Sequence, residues 1–273
     1  MILYVGRAIP LMKQFMPNKP IKNGVKTYQM CDSPRACDFQ HGDIVPKTGY
    51  LYSFEIFTGT AKFYDAFGST SIFDNNVVSV VSRLFQNCGF ETTGAGRNCY
   101  TDNYYTRMNL MVHLWTHYKM YLTGTVRLTK KKSRMAKDFP FHKLSNGALK
   151  RVKRGWLRRA VFIADTPNGI GAPRTMEVEA DVWKDRRLVG FLTNHDIGPP
   201  AAEHNVLRHM SNRPTSSVHG NRHPTPAPRC AGDYGKGMGA VDHEDRHVAD
   251  RGGIEGALRC GRCAGTCAYG GTC

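Results

Sequence analysis

Between residues 77 and 128 the apolar spacing switches from helical to extended and back again, and this limits the fold more than any other feature of the chain. VVSVVSRLFQ at 77–86 places Val77, Val78, Val81, Leu84 and Phe85 at i, i+4, i+7 spacing behind the cap residues Asp74, Asn75 and Asn76. NCYTD at 98–102 fits a short strand. RMNLMVHLWTHY at 107–118 fits a second helix capped by Thr106, with Met108, Met111, Trp115 and Tyr118 on one stripe, and YLTGTVRL at 121–128 fits a further strand. Upstream, VKTYQMC at 25–31 and GYLYSFEIFTG at 49–59 read as strands, and a third, weaker strand fits AKFYDAF between 60 and 74.

Early strands followed by strand–helix–strand alternation imply an α/β fold with one mixed sheet and helices against its faces. The order βββαβαβ is the layout of RNase H-like domains. Beyond Arg127 the pattern weakens. VEADVWKDRRLVGFLTNH at 178–195 reads as two strands around a polar turn at 184–187, with Trp183 in the core. SNRPTSSVHGNRHPTPAPRC, including His219 and His223, reads as linker, and after Asp250 the composition turns to glycine and cysteine.

Charge narrows the choice of partner. Lys and Arg number 38 against 22 Asp and Glu, a formal net charge of +16, which suits a polyanion such as nucleic acid. Thirteen of the cations and a single acid, Asp138, fall between Arg127 and Arg159. Within that segment Lys130, Lys131, Lys132, Arg134, Lys150, Arg151, Lys153 and Arg154 are candidate DNA-phosphate contacts; a solvated basic face is the competing reading. The nine cysteines form no secreted framework, and MILYVGRAIPLMKQF has no leader pattern, so an intracellular, reducing location is expected. No run approaches the length of a membrane span, and no membrane partner is expected.

Two acids stand at strand ends, Asp32 after the first strand and Asp102 after the strand between the helices. In an RNase H-like sheet those strands are neighbours, so the carboxylates would meet. Hard oxygen donors of this kind suit Mg²⁺ or Mn²⁺. Displacement at phosphorus uses two such ions about 3.5–4 Å apart, which calls for three or four carboxylates. GMGAVDHEDRHV at 237–248 offers the others, since Asp242 and Asp245 would share one face of a helix. Singly, each acid reads as a turn or cap residue.

FMPNKPIKNGVKTYQMCDS, TDNYYTRMNL, LTGTVRLTKK, VWKDRRLVGFLTNH and YGKGMGAVDHED resemble, in order, the blocks of the piggyBac transposase family. The resemblance implies that Asp32, Asp102, Asp242 and Asp245 are the catalytic, metal-binding acids. It further implies two-metal DNA strand cleavage and transfer at TTAA sites, with transposon ends as partner, homodimer formation and a nuclear location. On this reading residues 1–128 hold the first part of the catalytic core and 129–230 a degraded, basic insertion-like region with linker. Residues 231–250 hold the last catalytic block, and 251–273 a disordered tail. Ala240 stands where the family has a second glycine, and the flanking regions of a full transposase are expected to be missing. A non-catalytic DNA-binding derivative or an unstable relic is therefore the alternative to an active enzyme. The tail cysteines Cys260, Cys263, Cys267 and Cys273 lie too close together for the usual zinc spacings, so no zinc is expected there.

Overall fold

The computed structural model describes residues 2–3, 13–15, 23–31, 51–57, 76–90, 95–128, 139–141, 152–166, 175–197, 204–209 and 222–238. The chain divides into two compact units, one of Met1–Cys88 with Gly239–Cys273 and one of Gly89–Met238.

In the first unit the strand read from VKTYQMC is the hub. It forms β3 (Asn23–Cys31), which pairs antiparallel with β1 (Ile2–Leu3), β2 (Lys13–Phe15) and β4 (Leu51–Ile56). Tyr28 of β3 is buried and meets Phe57 edge to face at 5.9 Å, while Lys26 Nζ lies 5.0 Å from the centre of each ring. Helix α1 (Val77–Gln86) begins where Asn76 accepts a hydrogen bond from Val78 N–H at 3.0 Å, as its cap sequence requires. Its buried face is Val77, Val80, Val81, Leu84 and Phe85, so Val80 takes the place expected for Val78. Arg83 grips Glu55 of β4 with both ends of its guanidinium, Nη2 donating to Oε2 at 3.0 Å. The third strand expected between 60 and 74 lies outside the described residues.

The second unit is a five-stranded sheet in the order β5 (Asn98–Thr101), β6 (Tyr121–Val126), β9 (Leu188–Thr193), β8 (Thr175–Lys184), β7 (Leu157–Asp165). β5 and β6, joined by the second helix, are parallel, and every other pair is antiparallel. The sheet is therefore mixed, as the alternation implied. Strands from both sides of residue 128 share it. Adjacency of β3 with β5, which an RNase H-like order would give, is not among the pairings of the described residues.

Helix α2 (Met108–His113) runs on into a π-helical turn, Leu114–Tyr118, that ends at Lys119 in the left-handed region. The extra residue in that turn rotates the stripe: Leu110, Met111, Leu114 and Tyr118 are buried, while Met108 and Trp115 are half-buried. Thr106 is not the cap, because its hydroxyl turns back to donate to the Asp102 carbonyl at 2.7 Å, and Arg107 holds the cap position. The stretch 211–230, expected as linker, contains β11 (Arg222–Ala227), paired antiparallel with β10 (His204–His209), and the start of α3 (Arg229–Gly237). Two prolines survive in β11 because it belongs to a two-stranded ribbon, where a missing N–H need not break a central ladder. The ribbon is held by Trp183, 2% exposed, whose Nε1 donates to the Pro226 carbonyl at 2.7 Å.

One glycine fixes how α2 approaches the sheet. A Cβ on Gly124 of β6 would lie 2.1 Å from Thr106 Oγ1, 2.5 Å from Thr101 Oγ1 and 2.8 Å from the Thr101 carbonyl oxygen. Gly124→Ala is expected to cost about 1–3 kcal/mol, read as a lowered midpoint in urea or thermal unfolding; an unchanged midpoint would contradict the packing.

Candidate active site at the end of β5

Asp102 follows the last residue of β5, at the carboxyl end of the only parallel strand pair among the described residues. Its side chain is half-buried and oriented by the backbone: Oδ1 accepts Tyr104 N–H at 2.9 Å. The Asp102 carbonyl accepts Tyr105 N–H at 3.1 Å, Thr106 N–H at 3.0 Å and the Thr106 hydroxyl. With its proton so used, the Thr106 hydroxyl accepts from Thr101 Oγ1 at 2.9 Å, closing a buried knot under the turn. A short strand thus ends in a carboxylate held in one orientation.

Helix α3 reaches this strand. Alternation puts Tyr100, Thr123, Thr125, Thr193, Phe191, Glu179, Asp181 and Trp183 on one face of the sheet. α3 crosses that face. Cys230 meets Asp181 of β8, Tyr234 packs on Phe191 of β9 at 5.7 Å and reaches Thr125 of β6 at 3.4 Å, and Gly237 lies against the Tyr100 ring of β5. Nine helical residues extend about 13 Å, close to the roughly 14 Å that three interstrand steps require. Burial raises the Tyr100 phenol above its ordinary pKa, a hydrogen bond from Asn98 opposes this, and the charge of Asp233 on α3 adds to it. The fit depends on glycine, since a Cβ at Gly237 would stand 2.3 Å from a Tyr100 ring carbon.

The other end of α3 is pinned by a buried ionic group. Arg159 of β7 sits opposite Asp181 of β8 in register; its Nε donates to Asp181 Oδ1 at 3.1 Å, and its Nη2 lies 3.2 Å from Glu179 Oε1. The Cys230 thiol donates to Asp181 Oδ2 at 3.4 Å. Burial first, then a hydrogen bond to Asp181 and its charge, push the Glu179 carboxyl up to about 8. Burial and Asp181 likewise hold the Cys230 thiol well above its usual range. A neutral Glu179 donates to Asp181, leaving one guanidinium facing one carboxylate, so the cluster carries no net charge.

Donor atoms of Glu179, Asp181 and Cys230 fall within 4.8 Å of one another, the spacing of a chelate. Arg159 already spans both carboxylates, and in this state the group is an internal ion pair. Little in the local sequence signals it. Glu179 and Asp181 share a strand face at i, i+2, but their partners lie 20 or more residues away and become visible only through the β7–β8 register.

Residues 8–249 match the profile of the family described as Transposase IS4. The chain belongs to the Transposase IS4 family. No curated protein and no solved structure matches it. The function is therefore transposase-derived, which makes DNA the partner class, and the matched span includes all four acids singled out in the sequence.

Of those acids, Asp102 is placed as above; Asp32, Asp242 and Asp245 lie outside the described residues, as do Lys130, Lys131, Lys132, Arg134, Lys150, Arg151 and the four tail cysteines. Lys153 and Arg154 are described, on the loop before β7. Among the described residues no helix is long and apolar enough to cross a membrane.

Two outcomes test this site. Gly235→Ala, with nothing within 4 Å of its new Cβ, is expected to stabilise by about 0.5–1 kcal/mol, whereas Gly237→Ala in the same helix destabilises; equal shifts in unfolding midpoint would refute the Tyr100 contact. For Glu179 the folded pKa lies above the unfolded value, so its contribution is complete below about pH 4.5 and is lost as pH rises through about 8. Glu179→Gln, which keeps the donor without titrating, should match the parent chain near pH 5 and exceed its stability above pH 8. Parallel stability–pH curves would exclude the protonated pairing.

Proposed function

We propose that this chain is a piggyBac-type transposase-derived protein that cleaves and joins DNA strands at TTAA sites, with Asp32, Asp102, Asp242 and Asp245 holding two Mg²⁺ or Mn²⁺ ions in an RNase H-like core. The observation that supports the reading is the Asp102 carboxylate, held in one orientation by Tyr104 N–H at 2.9 Å at the end of β5, in a chain whose match to the Transposase IS4 family spans all four acids.

The donor set suits the ions: four carboxylates offer only hard oxygens, and the described one is already oriented by Tyr104 N–H. When bound, the ions stabilise charge on the attacking and leaving oxygens of a displacement at phosphorus. The chain's own contribution is positional. The Thr101–Thr106 knot fixes the turn after β5, and Tyr104 N–H fixes the carboxylate. Basic side chains, including Lys153, hold the DNA through phosphates, and the protein works in the nucleus as a homodimer at transposon ends.

The test is Mg²⁺-dependent nicking of a TTAA-flanked duplex by the purified chain. Asp102→Ala is expected to lower the rate by about 10²-fold or more, as losses of charge-stabilising groups do. Equal rates for the two chains would sink the enzymatic reading. Salt-sensitive DNA binding with no cleavage by either would assign the chain instead to a non-catalytic, DNA-binding derivative.

A further inference from the structure

The β8–β9 hairpin reverses over 185–187, closed by Asp185 N–H to the Arg187 carbonyl at 3.1 Å, with Arg186 and Arg187 exposed at its tip. The loop before β7 is docked on the same tip. Gly155 N–H donates to the Lys184 carbonyl and Lys184 N–H to the Trp156 carbonyl, each at 2.8 Å. Gly155 has φ +90°, and a Cβ there would press on Pro226 at 3.1 Å, so this docking depends on glycine. Arg154 closes the junction, its Nε donating to Asp185 Oδ1 at 2.8 Å and its Nη2 at 2.5 Å. Trp183, buried one residue before the last residue of β8, anchors the ribbon behind.

Charge at this end of the sheet is one-sided. Residues 152–158 and 184–188 carry six cations, Lys153, Arg154, Arg158, Lys184, Arg186 and Arg187, and one carboxylate, Asp185. Asp185 is matched to Arg154, which therefore braces the junction and leaves a surplus of positive charge around it. Lys153 and Arg158 are exposed, and Arg158 lies over the Phe141 ring at 5.6 Å. A braced ribbon of this kind confines its guanidinium groups far better than a loop does, and a two-stranded ribbon fits the major groove of duplex DNA, about 12 Å wide. Guanidinium forks also match phosphate oxygens in pairs.

We propose that the β8–β9 tip, with Arg186 and Arg187 leading and Lys153, Arg158 and Lys184 beside them, is a DNA-backbone contact surface of this transposase-family chain. It takes Lys153 and Arg158 from the basic segment 127–159 and adds Lys184, Arg186 and Arg187 of the hairpin. The proposal rests on the DNA reading above and extends it to a place in the fold. Contacts of this type position the duplex without reading its sequence.

The test is fluorescence anisotropy of the purified full chain with a labelled duplex across a KCl series, for the parent, Arg186→Ala/Arg187→Ala and Arg186→Lys/Arg187→Lys, with thermal midpoints confirming that each is folded. Two lost phosphate contacts should make the slope of log K against log[salt] shallower by about 2, weaken unrelated duplexes by equal factors, and be reversed by the Lys pair. A folded Ala pair with the parent's slope and affinity would overturn the proposal while leaving the DNA reading intact, and so would a Lys pair that fails to restore the slope. A parent chain that binds no duplex at low salt would remove the DNA reading and the tip with it. Mg²⁺-dependent nicking by the parent chain, assayed separately, distinguishes these outcomes from failure of the cleavage reading, since the anisotropy series is run without Mg²⁺.

Discussion

A nine-residue helix containing Gly232, Gly235 and Gly237 has little helical stability of its own, yet α3 lies across four strands of the sheet and covers one of its faces. Packing at its two ends holds it. At one end Cys230 and Ala231 join Trp183, Phe191 and Ala227 in a buried cluster; at the other, the bare backbone of Gly237 lies on the Tyr100 ring. The glycines that weaken the helix locally let it lie flat where it ends. The route of the chain from β8 across to β5 follows from those two contacts.

The ionic group beneath α3 shows why a buried charge can be tolerated there. Arg159 would be costly alone, and so would Asp181. In register on adjacent antiparallel strands they neutralise each other, and the neutral forms of Glu179 and Cys230 fill the remaining acceptor positions of Asp181. Such a group specifies register, because a one-residue slip of β7 against β8 would turn Arg159 to the opposite face and leave two acids buried without a cation. The same sheet face then passes from this cluster, through Phe191 and Thr125, to the strand end that carries Asp102.

Much of the second unit was legible in residues 98–128, where alternation between helical and extended spacing correctly implied β5, α2 and β6, and in 178–195, which formed most of β8 and all of β9. Where the expectations differed, a propensity signal was overruled by a specific partner. Thr106 looked like a cap, but its hydroxyl serves Asp102 and Thr101. RHPTPA looked like linker because of its prolines, yet it pairs with β10 and accepts a hydrogen bond from Trp183. The Glu179–Asp181–Arg159–Cys230 group left almost no trace, because it is assembled from three elements, β7, β8 and α3.

Legible in the sequence alone were the identity of chemistry-bearing residues and the local period of most elements: an acid at a strand end and a basic surplus. Those properties are encoded within a few residues of one another, where side-chain spacing and cap chemistry act directly. What only the tertiary structure decided was which of them meet: Gly237 with Tyr100, Arg159 with Asp181, and the 152–158 loop with the 184–188 hairpin. Strand register and close backbone approach create those meetings, and both depend on contacts between segments that no local period records.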